Sequence, residues 1–550
     1  MSLRTLFSIL LLAIFIPIAT AQDSKPAAAE DGVAAADALY KTGKLEEAAK
    51  GYESLLSSDP KLFDVRAGLM RTRLRQQRVD DAYELGEAGL AMPYHTSELV
   101  SAMGDVQFRR AEMREAEASY LRALRLDPSN FRARLGLSKL YRSYSLYRQA
   151  YNQLKAAYEL APKDAEVQRA WFPMLPRKER LKSIEEYLSS ARPDDPDETT
   201  WLKQYADFLK ATVNTPIHAC RLVSKVEQTQ APLTLVLVDP THVRGLGLQV
   251  KLNDRGGFLL LDTGAGGIMV SRRLAEKAGL ERITNLSYVG VGDKGLQTGY
   301  SAVAKRIRIG ELEFADCVVD VADRLSGADA DGIIGANVMS SYLIDIDGPG
   351  EMLRLSPLPK RPEEAVKITA LRADGDDSDE DEDMNANAIQ DTPKTAEMRL
   401  PKDRYIAQEM AGWTRVFRFG PSLLIPTHVN DSPSMLFVID TGAFNNLISS
   451  AAARKVGKIY DEDRIQIKGA SGAVDQVYST GRVKLLFSHF AQHNQELFSF
   501  DLSNLSRHFG TELSGMLGFG MLRTLELKID YRDGLVDFVY DPKRVPVFLR

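Results

Sequence analysis

Gly257-Phe258-Leu259-Leu260-Leu261-Asp262-Thr263-Gly264-Ala265 and Met435-Leu436-Phe437-Val438-Ile439-Asp440-Thr441-Gly442-Ala443 are two versions of one pattern, a short apolar run that ends in Asp-Thr-Gly-Ala. Each run has the length of a buried strand, so each Asp stands where a strand gives way to a turn. The likeness continues downstream. Ser271 and Ser449 suit the caps of short helices that close near Gly279 and Gly457. Asp331-Gly332-Ile333-Ile334-Gly335 and Ser514-Gly515-Met516-Leu517-Gly518 then place an apolar-apolar-Gly element at similar distances past the two Asp residues. Strand-like stretches at 342–355 and 525–540 finish the two copies. β-branched and aromatic runs broken by Gly mark this whole part of the chain as β-rich. Two mainly-β units on one plan are expected, at 213–360 and 400–550.

Asp-Thr-Gly-Ala written twice, with the same second element after each copy, resembles the aspartic peptidases: retropepsin-like lobes duplicated in one chain, as in pepsin-like enzymes. The resemblance covers residues 231–360 and 400–550. It implies an endopeptidase acting on a polypeptide substrate, with no cofactor and no metal. Asp262 and Asp440 would form the catalytic pair. Thr263 and Thr441 would hydrogen-bond across the junction, and Gly264 and Gly442 would let the backbone approach the pair. The chemistry needs two carboxyl groups, one ionised to deprotonate water and one protonated to supply the departing nitrogen. Like-charge repulsion keeps a single proton on such a pair, and which Asp holds it is left open. Ala265 and Ala443 follow the retroviral form of the motif rather than the Ser or Thr of pepsin-like enzymes, which is expected to bring the pH optimum nearer neutrality.

Gly290-Val291-Gly292-Asp293-Lys294-Gly295 formally fits the dinucleotide pattern GxGxxG. No amphipathic helix follows it, and the flanking runs suit a β-hairpin, so either a flap carrying Gly290, Gly292 and Gly295 or a plain surface hairpin is expected instead. Gly469 and Gly472 hold a comparable place in the second copy.

The first two hundred residues follow another rule. Pro60, Pro93, Pro128, Pro162 and Pro196 recur about every 34 residues, each closing an alanine-rich amphipathic stretch. Ala48 and Tyr52 recur as Ala116 and Tyr120, small and aromatic residues at helical spacing. These residues resemble the tetratricopeptide repeat over 32–211, with an irregular second unit at Asp81-Ala82. The expected domain, 22–212, is an all-α solenoid whose concave surface would take a protein partner.

Arg4, the apolar run 6–18 and Ala19-Thr20-Ala21 read as a signal peptide at 1–21, so an exported, periplasmic or secreted protein is expected. The run is broken by Ser8 and Pro17 and falls short of the roughly 20 residues that cross a bilayer. A net charge of -5 without a basic tract gives no reason to expect nucleic acid. HExxH and GxSxG are absent. Cys220 and Cys317, the only cysteines, exclude a four-cysteine zinc site and are expected to be separate buried thiols. Between the β units, residues 361–399 read as an acidic disordered tether, with eight acidic residues among the ten from Asp374 to Asp383. Two other readings fit the same residues: an inactive binding scaffold using the repeats and a remnant cleft, and a dimer in which each unit pairs with its twin in another molecule.

Overall fold

A computed structural model of the chain describes residues 27–190, 196–214, 220–239, 242–288, 290–292, 297–323, 330–362, 401–462, 465, 467–469 and 472–544. The expected export signal, Gly295 and all but the first two residues of the acidic joint lie outside them.

Among the described residues, eleven α-helices precede the first strand, from Ala27–Lys41 to Pro196–Thr212. Eight of them form successive antiparallel pairs: Ala27–Lys41 with Leu45–Ser58, Phe63–Arg75 with Val79–Leu90, Ser97–Arg109 with Met113–Leu126, and Phe131–Ser143 with Tyr147–Leu160. One turn is repeated inside every pair. Gly43, Gln77, Ala111 and Ser145 adopt left-handed φ values of 77°, 62°, 63° and 58°. The amides that follow return to the preceding helix, Lys44 N to Leu39 O, Arg78 N to Arg73 O, Glu112 N to Gln107 O and Leu146 N to Tyr141 O, at 3.0, 2.8, 2.8 and 2.8 Å. These bonds satisfy carbonyls that the helix end would otherwise orphan, which offsets the strain at the three non-glycine turns. The irregular second unit therefore keeps the geometry of its neighbours.

In the first β unit, Arg255–Asp262 lies beside His242–Leu252 and pairs in parallel with Gly332–Gly335, placing Asp262 opposite Gly335. In the second, Met435–Asp440 lies beside Ser422–Val429 and pairs in parallel with Gly515–Gly518, placing Asp440 opposite Gly518. Short helices follow at Arg272–Lys277 and Ser450–Val456, with Ser271 and Ser449 accepting the amides of Leu274 and Ala452 as caps.

The two final stretches are hairpins rather than single strands. Tyr342–Asp347 pairs with Met352–Pro357, and Glu526–Asp530 with Leu535–Val539, because short turns interrupt both apolar runs. The hairpins pair with each other, Ile344 opposite Ile529 and Asp347 opposite Glu526, so both units share one sheet within a single chain. Burial alone would raise the carboxyl of Asp347, but bonds from Arg544 (2.6 Å), Arg354 (2.7 Å) and Gly350 N (2.9 Å) hold it below its ordinary value.

The helices dock on both units: Pro196–Thr212 lies against Glu281–Tyr288 of the first, where Ser287 N donates to Gln204 Oε1 at 2.9 Å, and the earlier helices pack on the second. Val100, Phe108, Tyr120 and Leu140 share one core with Leu424, Leu436, Phe500 and Met516. Thr511 Oγ1 donates to Phe108 O at 2.7 Å, and Glu512 N to Arg109 O at 2.8 Å.

Cys220 and Cys317 correct the expectation of separate thiols: they form a disulfide. Arg221 pairs with Ala315 and Leu222 with Phe314, which brings the segment after the last helix alongside the strand Leu312–Ala322.

Candidate active site

Each Asp-Thr-Gly motif folds around its own carboxylate. Asp262 Oδ1 accepts the amides of Gly264 (2.8 Å) and Ala265 (3.0 Å), and Asp440 Oδ1 those of Gly442 (2.9 Å) and Ala443 (3.0 Å). A strand ending in Asp leaves the next amides without ladder partners, and the carboxylate takes them.

The threonines tie the motifs together. Thr263 N donates to Thr441 Oγ1 and Thr441 N to Thr263 Oγ1, both at 3.0 Å. Thr263 Oγ1 donates to Ile439 O at 2.7 Å and Thr441 Oγ1 to Leu261 O at 2.8 Å. Thr263 and Thr441 are 0% and 5% exposed, so this four-bond knot is dry and each hydroxyl both donates and accepts.

The knot fixes how closely the carboxyl groups meet. A Cβ on Gly264 would stand 2.7 Å from Cγ of Asp440, and one on Gly442 would overlap the carboxylate of Asp262, so glycine is required at both places. Each carboxyl group thus lies against the other motif's glycine, close enough to the other carboxyl to act on it, and both residues keep part of their surface open.

Burial raises the carboxyl of Asp262 against the opposing pull of the Gly264 and Ala265 amides. Burial and the charge of Asp262 push Asp440 up to about 8. Because the two environments are nearly mirror copies, the retained proton belongs to the pair. The arrangement can present one carboxylate and one carboxylic acid to the same small volume.

Strands pair on either side of both glycine runs. Glu281–Tyr288 pairs with Gln297–Ile309, and Gly290 and Gly292 follow the first of these strands. Lys468–Gly469 pairs with Gly472–Ala473. Gly469 lies so close to the carbonyl of Val291 that a Cβ there would overlap it, so the hairpins of the two units touch.

Sequence reasoning missed the supports. Asn337 Oδ1 accepts Gly267 N at 3.0 Å, and Asn446 Oδ1 accepts Gly518 N at 2.8 Å, each pinning a motif loop to its glycine element. Ser422 Oγ donates to Gly264 O at 3.0 Å. Asn337 follows Gly335 closely and Asn446 follows Ala443 closely, a local signal that could have been read; nothing near Ser422 announces its distant partner.

Among the described residues, no helix is long and apolar enough to cross a membrane. Residues 248–338, which carry Asp262 and Gly335, match the family described as aspartyl protease. Over 230 residues, 42% of the chain, the sequence is 25% identical to DNA damage-inducible protein 1 of Saccharomyces cerevisiae. The matched region covers 44% of that protein, so the chain spans less than half the length of this relative. These likenesses support an aspartyl protease domain in this chain, in the stretch that presents Asp262.

Proposed function

We propose that the chain is an exported aspartic-type endopeptidase with one cleft, formed where two retropepsin-like lobes meet, and that Asp262 and Asp440 are its catalytic pair. The observation that carries this reading is the reciprocal threonine knot, which brings two partly open carboxyl groups into contact from separate strand ends. A water held between them gives a proton to the ionised carboxylate as its oxygen attacks the peptide carbonyl carbon. The neutral carboxyl passes its proton to the carbonyl oxygen, giving a tetrahedral diol. On collapse, the carbon–nitrogen bond breaks, the nitrogen takes the proton of the neutral carboxyl, and one diol hydroxyl gives its proton to the ionised carboxylate as the carbonyl re-forms, so the dyad again holds one proton.

The hairpins around Gly290 and Gly469 act as flaps over an extended polypeptide. The helical pairs act as a tetratricopeptide-type array whose concave face recruits substrate or a protein partner. Cleavage of casein and of a peptide library by the full-length protein, read by mass spectrometry, tests this. Asp262→Asn and Asp440→Asn are each expected to abolish cleavage. Loss with only one of them points to twin units pairing between molecules, and no cleavage by the wild type points to a binding scaffold.

A further inference from the structure

One hairpin of the second unit is wedged between the helices and the motif loop of the first. Phe417–Phe419 pairs with the start of Ser422–Val429, Phe419 opposite Ser422, and turns at Gly420-Pro421, with Gly420 at φ 59°. The turn presses on the loop that follows Asp262. Ser422 Oγ holds Gly264 O, and a Cβ on Gly266 would stand 2.7 Å from Cγ of Pro421. The flanks of the hairpin rest on the helical region: the Phe417 ring lies 5.4 Å from Tyr144, and the Phe419 ring 6.3 Å from Phe108.

Arg418 pins the assembly. Its Nη1 donates to the hydroxyl of Tyr147 at 3.1 Å and to Tyr531 O at 2.8 Å, while Nε donates to Gly420 O at 3.2 Å. Tyr147 opens the helix Tyr147–Leu160, so a single guanidinium joins the helical array to the hairpin turn. Tyr531, below the guanidinium, is fully buried; burial pushes its phenol up against the pull of the Arg418 charge, and the charge of Asp262 adds to the rise.

The duplicated unit provides an internal control. Leu424 sits opposite Val438 as Gly247 sits opposite Leu260, so Gly245 occupies the position of Ser422 in the first unit. No hydroxyl is available there to hold the Asp440 loop.

We propose that Arg418 and Ser422 are positioning residues through which the docked helix Tyr147–Leu160 sets the orientation of the Asp262 loop. The helical region is then a working part of the cleft as well as a recruiting surface. This rests on the reading of Asp262 and Asp440 as the catalytic pair.

Steady-state peptide cleavage and amide hydrogen exchange on the full-length protein test it, with Ser422→Ala, Ser422→Thr, Tyr147→Phe and Arg418→Met. Ser422→Ala is expected to lower kcat about tenfold while KM stays within about twofold, because a small misplacement of a reacting group acts on the chemical step. Its acid limb should move to higher pH, since a looser loop weakens the amide bonds that favour the Asp262 carboxylate. Ser422→Thr should restore both values. Tyr147→Phe and Arg418→Met should change kcat in the same direction and speed exchange at Gly264 and Ala265. Folded variants with wild-type kcat, pH profile and exchange overturn the proposal, and if Arg418→Met does not fold, Ser422→Ala and Tyr147→Phe decide. If the wild type cleaves nothing, the peptidase reading fails by itself; exchange at Gly264 and Ala265 then judges the positioning role, and no change there overturns it.

Discussion

The two β-rich units agree closely where they meet and diverge where they do not. The bonds of the threonine knot and of the motif turns come in twins: the threonine amides at 3.0 and 3.0 Å, the threonine hydroxyls at 2.7 and 2.8 Å, and the glycine amides at 2.8 and 2.9 Å. Farther out, the first unit is fastened by the Cys220–Cys317 disulfide and by the helix Pro196–Thr212 against Glu281–Tyr288, and the second by a core shared with the earlier helices. After Ala265 comes Gly266, flanked by Pro421; after Ala443 comes Phe444, 43% exposed beside the ring of Phe519. Two carboxyl groups that share one proton demand matched surroundings, whereas the scaffold behind each of them needs only to be firm.

The largest effect should respect that symmetry. On the proposed mechanism, Asp262→Asn and Asp440→Asn should each reduce cleavage by roughly 10²–10⁴-fold, since either removes a proton-transfer partner. Unequal losses in purified, folded variants would mean that the units are not equivalent in the chemistry. The disulfide breaks the comparison in the other direction. Cys220→Ser with Cys317→Ser releases a cross-link between residues separated by 97 positions and should cost on the order of 3–4 kcal/mol in denaturant unfolding, confined to the first unit. Uniform loss of hydrogen-exchange protection across both units would contradict that confinement.

Thr263→Val and Thr441→Val sharpen the comparison. Each removes a hydroxyl that accepts one amide and donates to one carbonyl in a dry junction, so each should destabilise by about 2 kcal/mol. Near-equal values in chemical unfolding are expected. The double variant should lose less than twice the single loss, because the knot is one network.

How much of this was legible follows from range. The strand, Asp and turn sequence is local and occurs twice, so the paired motifs, their capped helices at Ser271 and Ser449 and the glycine elements could be placed from residue order. The final hairpins were read as single strands because the turns at Gly348–Gly350 and Arg532–Gly534 are short gaps in otherwise apolar runs. Gln77, Ala111 and Ser145 carry no mark of the left-handed turn they share with Gly43; the returning amide bonds decide it. The disulfide, Arg418 and Ser422 join residues far apart in the chain, and no spacing rule reaches them.

The last effect, modest over any one pH unit, is a pH dependence, and its sign follows from the dyad. Asp440 is raised from 3.8 to about 8 by burial and by Asp262, so the folded protein keeps a proton that the unfolded chain has released over that interval. Stability from this proton is fully present below the ordinary carboxylate value and is lost as pH rises through about 8. The wild type should therefore lose stability relative to Asp440→Asn by up to about 1 kcal/mol per pH unit between acid and mildly alkaline pH, with the difference levelling off above it. The amide keeps an oxygen for Gly442 and Ala443 but carries no proton to lose, so titrating groups away from the pair cancel in the comparison. Thermal unfolding of both proteins across this range reads the difference directly. A gap that stays flat with pH would mean that the two carboxyl groups do not share a proton, and the symmetry of the junction would then be structural only.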